Sequence, residues 1–223
     1  MEQYKQELIE LMVRSGVLTF GNFTTKSGRA TPYFVNTGNY KTGEQIAKLG
    51  DYYAHCIKEN FYDDFNVLFG PAYKGITLAV AASISLYREF GLNIPYCFNR
   101  KEKKDHGEGG NIVGYSPKSG DRILIIEDVT TAGTSIRESI PLLKAMADVQ
   151  ITSLVVSVDR MEKGQGERSA LQEVAAEFGM KVKAIVTIAE ILSYLYDREI
   201  DGKVLIDNAM KGKIEDYLKQ YGC

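Results

Sequence analysis

One stretch of the chain, residues 123–135, joins a hydrophobic strand pattern to two adjacent carboxylates and a turn rich in hydroxyl groups. Its first four residues are Ile, Leu, Ile and Ile, a run typical of a strand buried on both faces of a parallel sheet. Glu127 and Asp128 follow at once, so we expect their carboxylates at the carboxyl edge of the sheet, where α/β proteins bind ligands. Carboxylates in that place suit the vicinal hydroxyl groups of a sugar.

The residues after this acidic pair are predicted to bind a phosphate group. They are Val129, Thr130, Thr131, Ala132, Gly133, Thr134 and Ser135. The free N–H groups of such a turn, together with the N-terminus of the helix that follows it, attract anions. An ordinary helix cap is the structural alternative, since Thr and Ser are common N-cap residues, but it leaves two acids beside an apolar strand unexplained. A phosphate next to a diol describes a phosphorylated ribose.

A second polar segment, residues 100–110, contains four basic residues, one histidine and three glycines. Mixed charge and glycine usually indicate only a solvated loop. This segment, however, comes one strand–helix unit before the ribose-phosphate pattern, and a leaving pyrophosphate carries several negative charges. We therefore predict that the segment closes over the pyrophosphate, excludes water and neutralises charge on the departing oxygens.

Three shorter segments add side chains that could contact a substrate. Residues 25–36 combine turn residues with Pro32 and an aromatic pair, which is also the pattern of a surface turn before an edge strand. Lys74 lies between two glycines after an apolar strand, where a backbone could approach a pyrophosphate closely, although a plain strand-to-helix turn has the same composition. Arg160 follows another strand and could hold a carboxylate through two hydrogen bonds, or simply form a surface ion pair.

The composition limits the class of protein. The chain has 223 residues, of which 44% are hydrophobic and 25% are charged, as in a soluble globular protein. Its net charge of -2 argues against a nucleic-acid binder, and no apolar run is long enough for a membrane span. The three cysteines are widely spaced and the N-terminus has no signal-peptide character, so we expect free thiols and a cytoplasmic location.

Alternating apolar periodicities predict an α/β fold with a mostly parallel sheet and helices on both faces. Predicted strands cover residues 66–69, 95–99, 122–126, 151–158 and 183–186, and predicted helices cover 2–15, 42–59, 75–89, 134–146, 169–178, 188–197 and 208–221. Short strands at 18–23 and 33–35 break this alternation, so approximately residues 1–40 are expected to form a small lobe over the carboxyl edge. We expect residues 1–223 to form a single domain with this cap.

Five segments, in order from residue 24 to residue 162, resemble the orotate phosphoribosyltransferases, a family of type I phosphoribosyltransferases. The acidic pair and its turn are similar to the phosphoribosyl-pyrophosphate motif of the type I enzymes, and residues 26–34 are similar to the orotate loop. The resemblance implies the type I fold with an N-terminal hood. It also implies transfer of a phosphoribosyl group to orotate, giving orotidine 5′-monophosphate and pyrophosphate, with Mg²⁺ as cofactor.

The resemblance further implies a role for each candidate residue. Phosphoribosyl pyrophosphate would be bound by Lys26, Tyr73, Lys74, Arg100, Lys101, Lys104 and His106, together with Glu127, Asp128 and residues 129–135. Orotate would be bound by Lys26, Phe34, Val35, Thr131 and Arg160. The catalytic loop would contribute Arg100, Lys101, Lys104, Asp105 and His106, supplied by the neighbouring subunit of a homodimer. Mg²⁺ is expected to bind substrate oxygens rather than protein ligands, with Asp128 acting through water.

Two alternatives stay open at this point. The chain could transfer the phosphoribosyl group to another nucleobase, although residues 26–36 and Arg160 favour orotate. It could also be a regulator that senses phosphoribosyl pyrophosphate without turning it over. The acidic balance of the chain and its intact basic loop oppose a pure sensor.

Overall fold

Strands and helices alternate over most of the chain. In the computed structural model, the residues described are 1–25, 28–102, 111–129, 133–164 and 166–223. The helices are α1 (Gln3–Arg14), α2 (Gly43–Phe61), α3 (Lys74–Phe90), α4 (Thr134–Lys144), α5 (Ala170–Phe178), α6 (Ile188–Leu195) and α7 (Asn208–Tyr221), with a short 3-10 helix at Thr37–Asn39. The strands are β1 (Leu18–Thr24), β2 (Ala30–Val35), β3 (Val67–Gly70), β4 (Tyr96–Asn99), β5 (Ile112–Gly114), β6 (Arg122–Glu127), β7 (Gln150–Asp159), β8 (Lys181–Thr187), β9 (Glu199–Ile200) and β10 (Lys203–Val204). None of the helices in these ranges has both the length and the apolar character that a membrane span needs.

Six strands form the central sheet, in the order β5-β4-β3-β6-β7-β8. Neighbouring strands are parallel except for β5, which pairs with β4 in antiparallel orientation. The prediction of an α/β fold with a mostly parallel sheet is therefore confirmed. The sequence pattern did not indicate β5, because three residues are too few to show a strand period. The same reason applies to β9 and β10, which form a separate two-residue hairpin.

Alternate residues of β6 face two hydrophobic cores, one on each side of the sheet. Leu124 and Ile126 face the core that includes side chains of α1, α2, α3, α6 and α7. Ile123 and Ile125 face the opposite core, to which α4 and α5 contribute. All four side chains are completely buried, so these four positions must be apolar, as the sequence pattern predicted.

Capping boxes fix where three of the helices begin. The box at α2 joins Thr42 and Gln45, three residues apart, and the helix is the one predicted from residue 42 onward. Equivalent boxes at α5 and α6 join Ser169 with Gln172 and Thr187 with Glu190. Helix α6 begins at the residue after β8 ends, so its cap leaves almost no loop at that part of the carboxyl edge.

The N-terminal residues divide between a helical layer and a separate hairpin. Strands β1 and β2 pair with each other in antiparallel orientation, apart from the central sheet, and β2 packs against α7. Helix α1 packs instead on α2 and β8. A distinct lobe made of approximately residues 1–40 stays a prediction.

Candidate active site

A cavity of about 590 Å³ lies between the β1–β2 hairpin and the carboxyl ends of the central strands. Six residues predicted to bind substrate line it: Phe34, Val35, Lys74, Asp128, Val129 and Arg160. Arg29, Thr37 and Glu162 also line it, although the sequence pattern gave none of them a role. The structure therefore brings residues from four of the five predicted segments around one space.

The two adjacent acids have different surroundings. Glu127 is only 6% exposed, and its carboxylate accepts hydrogen bonds from the Ser135 hydroxyl at 2.7 Å and from the backbone N–H of Asp128 at 3.1 Å. Burial raises the pKa of Glu127 to about 7. This carboxyl group therefore changes its charge close to neutral pH. The Ser135 hydroxyl, which was predicted to bind phosphate, donates its hydrogen bond to Glu127 in this structure.

Asp128 stays charged because it has polar partners. Lys74 Nζ donates to Asp128 Oδ2 at 2.8 Å, and the hydroxyl of Thr37 donates to the same oxygen. Burial acts to raise the pKa of Asp128, but these hydrogen bonds and one from the backbone N–H of Val129 outweigh it and hold the pKa below its usual value. Lys74 Nζ also donates to Thr37 Oγ1 at 2.8 Å, so the three side chains form a closed triangle.

Hydrogen bonds to the main chain fix the position of the acidic pair. The Tyr53 hydroxyl, on helix α2, donates to the carbonyl of Glu127 at 2.6 Å. The hydroxyl and backbone N–H of Ser157, on β7, donate to the carbonyl of Asp128 at 2.7 and 2.8 Å. Both carbonyls thus accept hydrogen bonds from neighbouring elements, α2 and β7. These bonds fix the end of β6, where the two carboxylates lie.

Two glycines allow the turn between β3 and α3 to pack tightly. A Cβ atom on Gly70 would lie 2.0 Å from the carbonyl oxygen of Gly75, so no larger residue fits there. The buried Asn99 side chain accepts a hydrogen bond from the backbone N–H of Ala72 at 2.8 Å and anchors the middle of the turn. The close approach in this structure is between the backbone of Gly70 and that of Gly75, whereas an approach to pyrophosphate stays a prediction. Tyr73, in the same turn, is 71% exposed and does not line the cavity.

The opposite end of the cavity carries an aromatic ring and two guanidinium groups. The ring of Phe34 is stacked on Phe23 with 5.7 Å between centroids. Arg160 lies over the ring of Tyr33, with its central carbon 5.2 Å from the centroid, and its Nη2 lies 2.6 Å from Glu162 Oε1. The side chains of Arg160 and Glu162 are only 13% and 11% exposed, so this ion pair is buried rather than superficial.

Several predicted residues are described but lie away from this cavity. Lys101 donates to Glu138 at 3.3 Å, and the backbone N–H of Arg100 donates to the carbonyl of Asn111 at 2.7 Å. Gly133 is the N-cap of α4 with φ of 66°, and Thr134 is the first residue of that helix. Seven others lie outside the described residues, and their roles stay predictions: Lys26, Lys104, Asp105, His106, Thr130, Thr131 and Ala132.

Thr37 and Glu162 show what the sequence pattern missed. Thr37 follows the predicted strand that ends at Val35, but a single hydroxyl in a polar loop carries no distinctive signal. Glu162 stands two residues after Arg160, and an acid so close to an arginine is typical of a surface ion pair. Its burial depends on partners far away in the chain, so the local sequence could not indicate it.

Comparison with known proteins identifies the family to which this geometry belongs. The family model described as "Phosphoribosyl transferase domain" matches residues 36–182. The chain is 59% identical over 223 residues to the orotate phosphoribosyltransferase of Clostridium beijerinckii, with all of both chains covered. It is 56% identical over 222 residues to that of Clostridium acetobutylicum, covering 100% of this chain and 99% of that protein. The crystal structure of orotate phosphoribosyltransferase from Francisella tularensis is similar with a TM-score of 0.84 and 37% identity, covering 97% of this chain and 100% of that one. With its fold, its cavity and these relatives, the chain belongs to the orotate phosphoribosyltransferase family.

Proposed function

We propose that this chain transfers the phosphoribosyl group from phosphoribosyl pyrophosphate to orotate, giving orotidine 5′-monophosphate and pyrophosphate. The observation that carries the proposal is that a single cavity is lined by Asp128 and Lys74, here called its donor end, and also by Phe34 and Arg160, here called its base end. The phosphoribosyl donor and a flat, negatively charged base can therefore bind side by side.

At the donor end, the two carboxylates accept hydrogen bonds from the ribose hydroxyl groups. The bond from the anomeric carbon to pyrophosphate breaks while the bond to a ring nitrogen of orotate forms, and positive charge develops on the ribose. Asp128, kept ionised by Lys74 and Thr37, places a negative charge where it stabilises that positive charge. Residues 129–135 would bind the 5′-phosphate through N–H and hydroxyl groups.

At the base end, Arg160 would bind the carboxylate of orotate and Phe34 would pack near its ring. A guanidinium group presents a planar set of donors that matches a carboxylate through two parallel hydrogen bonds. The side chain of Phe34 is 39% exposed, so it offers an apolar surface to a planar base. Val35 lines the cavity beside it and would offer backbone groups to the polar edge of the base.

The basic loop, with Arg100, Lys101, Lys104, Asp105 and His106, would close over the pyrophosphate of a partner subunit in a homodimer. An apolar surface on helix α3 supports the pairing of two subunits, because Ile84 and Tyr87 are 51% and 61% exposed and lie one helical turn apart. Light scattering would measure the mass, and mixing inactive Lys104→Ala and Asp128→Asn subunits would restore activity only if the loop acts across subunits.

Mg²⁺ would act with the pyrophosphate rather than as a fixed part of the protein. Among the described residues, no group of three or more His, Cys, Asp or Glu side chains could hold a metal ion. Asp128 is an ionised carboxylate on the cavity, which suits contact to a hydrated Mg²⁺ through water. When bound to pyrophosphate oxygens, the ion would offset their negative charge.

A reducing compartment such as the cytoplasm is proposed from the state of the cysteines. Cys56, Cys97 and Cys223 are all free thiols. Burial raises the pKa of both Cys56 and Cys97 to about 12, so neither forms a reactive thiolate at neutral pH.

The test of the proposed function is turnover of orotate, followed by loss of its ultraviolet absorbance with phosphoribosyl pyrophosphate and Mg²⁺ present. Adenine, hypoxanthine and uracil are run in parallel by product detection. We expect turnover with orotate alone. Turnover of another base would overturn the roles of Phe34 and Arg160, and tight binding of phosphoribosyl pyrophosphate without turnover would indicate a regulator.

A further inference from the structure

Glu162 is a buried carboxylate that connects three separate parts of the chain. Its Oε1 accepts hydrogen bonds from the hydroxyls of Tyr33 on β2 and Tyr217 on α7, each at 2.9 Å. The same oxygen lies 2.6 Å from Arg160 Nη2, and the other oxygen pairs with Arg29. With an exposed fraction of 11%, this side chain is held almost entirely by protein groups.

The charges around Glu162 do not cancel each other. Arg29 and Arg160 share this one carboxylate, so the group of three retains one net positive charge. Asp159 lines the same cavity and adds a second carboxylate, which accepts a hydrogen bond from the backbone N–H of Met161 at 2.8 Å. The excess positive charge therefore belongs to the group of Arg29, Arg160 and Glu162 and not to the whole cavity wall.

The geometry also leaves Arg160 donors free of protein acceptors. Nη2 lies within ion-pair distance of Glu162 Oε1, but neither it nor the buried Nε makes a hydrogen bond within the described part of the chain. A guanidinium group is planar, so fixing one nitrogen against a carboxylate and its face against the Tyr33 ring sets the direction of the rest. Without Glu162, the two arginines would repel each other and Arg160 would lose this orientation.

We propose that Glu162 is a positioning residue for orotate, an inference that rests on the function proposed above. It acts through Arg160, whose guanidinium it holds in the plane that a substrate carboxylate needs, and it ties helix α7 to the cavity through Tyr217. Glu162 itself does not touch the reacting atoms.

The test is Glu162→Gln, which keeps the size of the side chain and removes its charge. We expect the KM for orotate to rise about tenfold or more, because Arg160 loses the carboxylate that lies 2.6 Å from its Nη2 and sets its orientation. The KM for phosphoribosyl pyrophosphate should change less than about twofold, since Asp128 and Lys74 keep their own contacts. The matched control is Glu44→Gln at the start of α2, whose side chain is 74% exposed and pairs with Lys48 on the surface; it should change neither constant.

A double-mutant cycle separates positioning from general support of the fold. In an Arg160→Ala background, Glu162→Gln should raise the KM for orotate no further, because the residue through which it acts is gone. Independent, multiplying effects of the two substitutions would overturn the proposal. So would an equal loss of affinity for both substrates.

A second variant covers the case in which Glu162→Gln fails to fold. Tyr217→Phe keeps the aromatic ring and removes one hydrogen bond to Oε1, so the KM for orotate should rise about two- to fivefold with that for phosphoribosyl pyrophosphate unchanged. An unchanged KM for orotate in both variants would overturn the proposal while wild-type turnover of orotate stands. Absence of orotate turnover by the wild-type chain would overturn the proposed function, and this inference with it.

Discussion

The two ends of the cavity are built in different ways. The donor end is centred on Asp128. This residue, its neighbour Glu127 and the turn predicted to bind phosphate lie in one continuous run of sequence that starts at the end of β6. The base end is assembled from β2, the segment after β7, and helix α7, and its partners Arg29 and Glu162 are 133 residues apart. The acidic pair and its turn are set by one segment, to which Thr37 and Lys74 add contacts from distant parts of the chain. The base end has no such continuous run and depends on how distant elements pack. We therefore expect that substitutions at the base end can change binding of the base while binding of the phosphoribosyl donor is kept.

The largest effect is expected from Asp128→Asn at the donor end. The substitution removes the negative charge that faces the ribose, so kcat/KM for phosphoribosyl pyrophosphate should fall about 100- to 1,000-fold. Steady-state kinetics with both substrates measures this change. Asp201→Asn, which alters an exposed ion pair with Arg14, is the control and should retain wild-type activity. A loss of less than tenfold would contradict the role given to Asp128.

Arg160→Ala should produce the next largest effect, and only at the base end. We expect the KM for orotate to rise about 100-fold, because two charge-assisted hydrogen bonds to the carboxylate are lost. The KM for phosphoribosyl pyrophosphate should stay within about twofold of wild type. Glu162 keeps its ion pair with Arg29, so the fold should survive. Arg198→Ala, at an exposed arginine stacked on Tyr194, is the control. Equal changes for both substrates would show that the two ends are not separable.

The pH dependence should also differ between the two ends. Because burial raises the pKa of Glu127 to about 7, this acid is mostly protonated below that pH and is then a weaker acceptor for the ribose hydroxyl groups. The KM for phosphoribosyl pyrophosphate should therefore rise as pH falls, by about tenfold between pH 8 and pH 6. The KM for orotate should stay flat over this range, since arginine remains charged.

The free energy of unfolding should have the opposite pH dependence to substrate binding, because a rise in pH strengthens binding but lowers stability. The folded state holds the Glu127 proton more tightly than the unfolded state, whose carboxyl titrates near the ordinary value of 4.5, so between that pH and about 7 this group favours folding less as pH rises. Glu127→Gln is the control for both measurements, because it retains any titration of the substrate itself. A pH profile for phosphoribosyl pyrophosphate that is the same in Glu127→Gln and wild type would exclude Glu127 as its cause.

The smallest effect is expected from Thr37→Val, which removes one member of the triangle with Lys74 and Asp128. Loss of a hydrogen bond to the carboxylate should raise the KM for phosphoribosyl pyrophosphate about two- to fivefold and leave that for orotate unchanged. Thr152→Val is the matched control, because its hydroxyl donates to the Ile123 carbonyl at the other end of the sheet. A changed KM for orotate would place Thr37 at the wrong end of the cavity.

The difference between the donor end and the base end also explains how much of the site could be predicted from the sequence. The strand and acids of residues 123–128 were predicted correctly, because four buried apolar residues and two adjacent acids form one local pattern. The parallel sheet followed from the alternation of elements. Roles for Phe34 and Arg160 depended on resemblance to a family, since neither has a distinctive neighbour. Thr37 contacts Asp128 across 91 residues, and no local pattern specifies a contact of that kind.

The pairing of β4 with β5 has a consequence for how this family can vary. Asn99 and Ile112 are partners in the antiparallel ladder, and the backbone N–H of Arg100 donates to the carbonyl of Asn111. The two ends of the intervening segment are thus held together at the rim of the sheet, where Ile112 packs against the edge of one hydrophobic core. Residues can be inserted, deleted or exchanged between these ends at a modest cost in chain entropy, without disturbing the rest of the fold. The segment between β4 and β5 could therefore be replaced by the corresponding loop of a relative. Such an exchange would change turnover and leave the residues that line the substrate-binding cavity unchanged.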